Sequence, residues 1–172
     1  MKHVFVINPC AGKKHAAGVI KPMILDYFSK NGGDYEIYET TAPYAGIDFV
    51  KNYPVGEETV RFYACGGDGT LFEVVNGAYG RPNTQIAVIP LGSGNDFIRL
   101  FGTKDMLVDV QAQVNGTPIQ LDVIKCLGKI AINQCSMGLD AEVCARQATF
   151  KKIPFLSGEA AYTASLLYCF IG

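Results

Sequence analysis

The stretch Cys65-Gly66-Gly67-Asp68-Gly69-Thr70 limits what this chain can fold into more than any other. It follows a strand-like apolar run, Thr59-Val60-Arg61-Phe62-Tyr63-Ala64, and it opens a helix-like run, Leu71-Phe72-Glu73-Val74-Val75-Asn76. A strand that feeds a glycine-dense turn at the start of a helix suits phosphate. Glycine lets a ligand approach the backbone, and the turn and helix N-terminus together present N–H donors and a positive dipole end to an anion. The plainer reading is a tight strand-to-helix turn. Three glycines around a carboxylate exceed what a turn requires.

The flanking sequence repeats the arrangement. Val4 to Ile7 is a continuous apolar run, the pattern of a strand buried on both faces, and it stops at Asn8-Pro9-Cys10-Ala11-Gly12. Apolar positions at Val19, Met23, Ile24, Tyr27 and Phe28 predict a helix from about Lys14 to Lys30, with a kink or a late start at Pro22 and a stop at Asn31-Gly32-Gly33. Tyr35–Tyr38 reads as a second strand and Tyr44–Asn52 as a helix. Thr59–Cys65 is the third strand, followed by a helix to about Ala78. Gln85–Ile89 is a fourth buried strand, ending at Pro90-Leu91-Gly92-Ser93-Gly94-Asn95-Asp96-Phe97. Strands alternating with helices predict an α/β fold on a mostly parallel sheet. In such sheets ligands bind beyond the carboxyl ends of the strands. The turns at 8–12, 66–70 and 92–96 should therefore line one crevice.

Beyond Gly102 the texture changes. Met106–Val114 reads as one more helix or an irregular connection. Pro118–Cys126 and Lys129–Cys135 look like strands joined at Leu127-Gly128, the start of a second, antiparallel β lobe. The expected division is 1–117 for the α/β domain and 118–172 for the partial lobe. Two helices close the chain, at Ala141–Ala148 and Ser157–Ile171, the latter with Ser157 as N-cap.

Composition narrows the function classes. A formal net charge of −1 gives no electrostatic reason to expect nucleic acid. The six cysteines form no CxxC pair, and His3 and His15 read as structural or surface residues, so free thiols are expected. The N-terminus lacks the long apolar region of a signal peptide, and Ala160–Gly172 is shorter than the roughly 20 residues a membrane span needs. These features predict a cytoplasmic protein.

Asp68 carries the most chemical information. A carboxylate beside a phosphate cradle repels the phosphate unless a cation lies between them or the carboxylate faces the sugar. Mg²⁺ held through Asp68 resolves the conflict; so does Asp68 acting only as a cap of its own turn or helix. Thr70 divides in the same way between a phosphate donor and a cap. No GxxxxGK[ST] string occurs. GxGxxG is half met at Gly92-Ser93-Gly94, with Phe97 in place of the third glycine.

Taken together, Asn8-Pro9-x-Ala11-Gly12, Gly66-Gly67-Asp68-Gly69-Thr70-Leu71-x-Glu73-Val74-Val75-Asn76-Gly77 and Pro90-Leu91-Gly92-Ser93-Gly94-Asn95-Asp96-Phe97-x-Arg99 resemble the diacylglycerol kinase catalytic-domain family. Leu121-Asp122-Val123, Asn133 and Gly138 to Val143 fit the same pattern. The resemblance implies a three-layer α/β/α domain like those of phosphofructokinases and NAD kinases. It implies transfer of the ATP γ-phosphoryl group, with Mg²⁺, to the hydroxyl of a lipid such as diacylglycerol, by a cytoplasmic protein working at a membrane surface. It places Asn8, Pro9, Cys10, Ala11, Gly12, Thr40 (or Thr41), Gly66, Gly67, Asp68, Gly69, Thr70, Leu71, Phe72, Ser93, Asn95 and Asp96 around the nucleotide, with Asp68 toward Mg²⁺. Phe72 departs from it, standing where the family usually has a polar residue, and Ser93 often appears there as threonine. The family's second lobe carries an Asp-Gly-Glu-type segment with the catalytic base, and no such segment follows residue 143. The expectation is therefore the N-terminal part of a lipid kinase, truncated after the nucleotide half and inactive alone. The alternatives are a non-catalytic nucleotide-binding or interaction module that forms a homodimer through its unfinished second lobe, and a soluble small-molecule kinase like the NAD kinases.

Overall fold

A computed structural model of the chain describes residues 1–12, 16–102, 107–150 and 159–171. They form two compact units, Met1–Asn133 and Gln134–Gly172.

The first unit is built on β1 (Lys2–Ile7), β2 (Asp34–Glu39), β3 (Val60–Gly66) and β4 (Thr84–Pro90), all parallel, in the order β2-β1-β3-β4. The continuous apolar runs are explained by burial on both faces. Val4, Val6, Phe62 and Ala64 pack on one side against Val50 of α2 (Ala45–Asn52) and Leu71, Val74 and Val75 of α3 (Asp68–Ala78). Phe5, Ile7, Tyr63, Cys65 and Ile89 pack on the other against Ile20, Ile24 and Phe28 of α1 (Ala16–Asn31) and Val110 of α4 (Val110–Asn115). Alternation along each strand thus feeds two cores in a three-layer α/β/α arrangement.

The helix boundaries follow local chemistry. α1 begins at Ala16, ahead of Pro22, so the late start does not occur; Pro22 lies inside the helix on an exposed position. Asp109 caps α4, accepting from the N–H groups of Gln111 (2.8 Å) and Ala112 (3.3 Å). α2 and α3 cross closely because position 77 is glycine: a Cβ there would stand 2.7 Å from Val50 Cβ and 2.8 Å from the Ile47 carbonyl oxygen. Arg81 donates to the carbonyls of Val50 and Tyr53 at the end of α2.

The hairpin is present but shorter than its apolar pattern suggested. β5 (Ile124–Cys126) and β6 (Lys129–Ala131) pair antiparallel around Leu127-Gly128, at φ 48° and 77°, and residues 118–123 form no strand. Only residues next to the turn are paired, and Ile119, Leu121, Val123 and Ile124 remain exposed. The hairpin docks on α3 through Asn76, whose amide donates to the Ile130 carbonyl and accepts from the Ile130 N–H, both at 2.9 Å.

The second unit is a helix pair, α5 (Leu139–Phe150) and α6 (Glu159–Ile171). Arg146 pairs with Glu142 at 2.7 Å, and its guanidinium lies 4.7 Å from the centre of the Tyr168 ring. The expected Ser157 cap, His15 and Met106 lie outside the described residues. Among the described residues no helix is long and apolar enough to cross a membrane.

Candidate functional site

A parallel sheet places the carboxyl ends of its strands on one edge. Here that edge carries, in spatial order, the segments Thr40–Tyr44 after β2, Asn8–Gly12 after β1, Gly66–Thr70 after β3 and Leu91–Asp96 after β4. The expected turns are therefore neighbours. Thr40 is fixed at the end of the row by its N–H, which donates to the Ile7 carbonyl at 2.9 Å.

The turns hold one another through backbone. The Gly66 carbonyl accepts from Leu91 N–H (2.8 Å) and Gly92 N–H (3.0 Å). Gly67 and Gly92 touch so closely that a Cβ on Gly92 would collide with Gly67 Cα and stand 2.9 Å from Gly67 N. Gly12, at φ 69°, abuts the Leu91 carbonyl, where a Cβ would also collide. That φ and that contact require glycine. The β1 and β4 turns thus meet at the end of β3.

Several candidate side chains build the turns. Asn8 Oδ1 accepts from Cys10 N–H at 3.0 Å, which folds Asn8-Pro9-Cys10-Ala11-Gly12 back on itself. Asn95, buried and at φ 55°, donates through its amide to the Gly92 carbonyl (2.7 Å) and accepts from Gly92 N–H (3.1 Å). Asp68 Oδ1 accepts from Asp96 N–H at 2.8 Å, which ties the β3 turn to the short 3-10 helix Phe97–Leu100. Thr70 is buried with its Oγ1 unpartnered, packed so tightly under Gly66 that a Cβ there would collide with it. Leu71 belongs to the core, Phe72 is half-buried, and Cys10, Asp68, Gly69, Ser93, Gly94 and Asp96 are exposed.

Two features of the open face bear on charge. No side chain caps α3, whose N-cap is Gly67. A hypothetical Cβ on Gly94 would lie 3.0 Å from Asp68 Oδ2 and 3.9 Å from Asp96 Oδ2, so both carboxylates stand by Gly94. Asp96 Oδ1 also pairs with Arg99 at 3.0 Å. Among the described residues no group of three or more His, Cys, Asp or Glu converges as a self-sufficient metal cage. A cavity of about 710 Å³ beside β4, lined by Leu71, Val75, Phe97 and Phe101 among others, contains none of residues 8–12, 66–70 or 92–96.

One residue outside the expected set, Glu73, shapes the site. Glu73 Oε1 accepts from Tyr44 N–H (3.1 Å) and Oε2 from Gly46 N–H (2.8 Å), which clasps the start of α2 to α3. The 29-residue separation hides this pairing from local pattern reading; the motif marks Glu73 without giving it a task.

An α/β sheet with backbone-packed glycine turns at its carboxyl edge and an uncapped helix start is a geometry suited to an anion. Comparison with known proteins narrows that reading. The model of the diacylglycerol kinase catalytic domain matches residues 2–126, and the chain belongs to that family. It is 32% identical over 160 residues to a diacylglycerol kinase of Staphylococcus carnosus, a match covering 91% of this chain and 51% of that protein. It is 33% identical over 141 residues to the Bacillus subtilis diacylglycerol kinase, covering 77% and 45% respectively. A crystal structure of a diacylglycerol kinase from Bacillus anthracis superimposes with a TM-score of 0.57 at 26% identity, covering 75% of this chain and 47% of that one. The chain spans about half the length of the curated relatives it matches.

Proposed function

We propose that the crevice binds ATP and that the full protein transfers the γ-phosphoryl group to the hydroxyl of a lipid such as diacylglycerol at a membrane surface. The carrying observation is the contact of Gly67 with Gly92 beneath a helix start that no side chain caps. This arrangement leaves backbone donors for phosphate oxygens. Phosphoryl transfer depends mostly on positioning and charge stabilisation. The chain's contribution on this reading is a rigid backbone cradle, with Ser93 exposed beside it as a hydroxyl donor. Residues 1–117 supply this nucleotide half.

Mg²⁺ fits the donor set. It is ordinarily held by one or two carboxylates together with substrate phosphates and waters, and Asp68 and Asp96 stand together by Gly94. These two residues would hold it, and the ion would neutralise phosphate charge. Asp68 has a second task in the same place, since its Oδ1 anchors Asp96 N–H. Alanine at 68 would remove both tasks at once; asparagine keeps an acceptor and removes the charge.

Thermal unfolding with and without nucleotide tests the reading. MgATP at about a hundred times Kd should stabilise the protein by about 2.7 kcal/mol. Asp68→Asn should keep the melting temperature of the free protein and lose most of the Mg²⁺-dependent part of the shift. No shift in the wild type would sink the proposal, and a full shift in Asp68→Asn would remove Asp68 from the metal site.

A further inference from the structure

Tyr44 has a backbone that tyrosine adopts only under constraint. Its φ of 69° and ψ of −3° lie in the left-handed region, which a bulky residue occupies only where its surroundings impose it. The residue is 60% exposed, so core packing does not impose it. The constraint is Glu73, which accepts from the N–H groups of Tyr44 and Gly46 with its two oxygens. Glycine at 46 lets the clasp close, because a Cβ there would stand 2.6 Å from Glu73 Oε2 and 3.2 Å from Glu73 Cβ.

The clasp links two walls of the crevice. Glu73 lies on the same helix that starts at Asp68, five residues on, or about 7.5 Å along the axis. It therefore ties the segment after β2 to the glycine cradle at a separation within one nucleotide's length. Strained backbone that the fold holds in place is a pointer toward function. An exposed aromatic ring at the end of a phosphate-binding row is suited to stacking on a base, which every base permits because each has a π-face.

We propose that Tyr44 is a nucleobase-stacking residue at the β2 end of the crevice and that Glu73 is the positioning residue that holds it. The proposal rests on the nucleotide reading above and goes beyond it by dividing the ligand. The glycine turns take the phosphates, and Tyr44 takes the base. Stacking without hydrogen-bond readout makes the site tolerant among purines, so ATP and GTP bind with similar affinity. The nucleoside contribution passes through Tyr44, and inorganic tripolyphosphate does not sense it.

Calorimetric titrations of MgATP and of magnesium tripolyphosphate into the wild type, Tyr44→Gly, Tyr44→Phe and Glu73→Gln test this, with the melting temperature of each free protein. Tyr44→Gly relieves the left-handed strain, so it should melt higher than wild type while binding ATP about ten-fold more weakly. Its tripolyphosphate affinity should stay unchanged. Tyr44→Phe keeps the ring and should bind both ligands as wild type does. Glu73→Gln should weaken ATP and spare tripolyphosphate, with faster amide exchange at Tyr44 and Gly46. A purely architectural role would move melting temperature without separating the two ligands. Wild-type ATP affinity in Tyr44→Gly, or equal losses for ATP and tripolyphosphate, overturns the proposal while leaving the nucleotide reading intact. A wild type that binds neither ligand overturns both.

Discussion

Replacing Gly69 with alanine sets stability against binding at one position. Gly69 is the second residue of α3; a Cβ placed on it meets nothing within 4 Å, and its φ is not in the left-handed region. On folding grounds alone glycine is a poor choice there. Glycine in a helix is less favourable than alanine by about 0.5–1 kcal/mol, and alanine at a compatible position stabilises by a similar amount through the unfolded chain. A domain of this size gains roughly 2–4 °C per kcal/mol, so Gly69→Ala should melt about 2 °C above wild type. On the proposed nucleotide reading, phosphate oxygens enter the open space over Gly69, so the added methyl should also cut MgATP affinity by more than ten-fold. Differential scanning fluorimetry with and without MgATP reads both effects in one plate: a raised baseline and a nucleotide shift well below that of wild type. Gly92→Ala is the contrasting control. Its Cβ collides with Gly67, so that variant should lose stability by about 1–3 kcal/mol as an overpacked site does. A Gly69→Ala protein that melts higher and binds ATP as wild type does would show that the ligand does not approach this face. One that melts lower would refute the open-space argument.

Two further perturbations test the fold away from the crevice. Leu127, fully exposed and left-handed at φ 48° in the β5–β6 turn, should be better replaced by asparagine; Leu127→Asn should stabilise by about 1 kcal/mol in chemical denaturation, and an unchanged midpoint would count against the turn geometry. His3 is buried, its Nδ1 is 2.7 Å from Tyr63 Oη, and burial, reinforced by Arg61, holds its pKa below the ordinary 6.5. Because the unfolded chain takes up a proton there first, stability should fall as pH drops from 6.5 toward the folded-state value. The slope in that window should disappear in His3→Gln, and an equal slope in the variant would remove His3 as its source.

The sheet and the gathering of the turns on one of its edges were legible because parallel strands buried on both faces leave uninterrupted apolar runs. Val4–Ile7 and Thr59–Cys65 could hardly be read otherwise, and the turns that end them fall on one edge by topology alone. What each side chain does within that edge was much less legible. Asp68 reads from sequence as a metal ligand or a local cap, and the fold adds a bond to Asp96 N–H, 28 residues away. Asn95 reads as part of a ligand wall, and its amide closes the Gly92 turn. The Glu73 clasp depends on α2 and α3 crossing at Gly77, a packing event that no local window contains. The apolar stretch at 118–123 shows the limit of pattern reading from the other side. Alternating β-formers mark a capacity to pair, and a strand appears only where the backbone finds a partner, here next to Leu127-Gly128.

The central claim is that the turns at the carboxyl edge of the sheet form one nucleotide site. A ¹⁵N-labelled protein of 18.6 kDa is well suited to amide chemical-shift mapping during a MgATP titration. Saturable shifts should cluster at residues 8–12, 40–44, 66–72 and 91–96, with a single Kd fitted across all four segments and ADP competing for it. No saturable change at Gly66–Thr70, or changes centred instead on the cavity beside β4, would contradict the account.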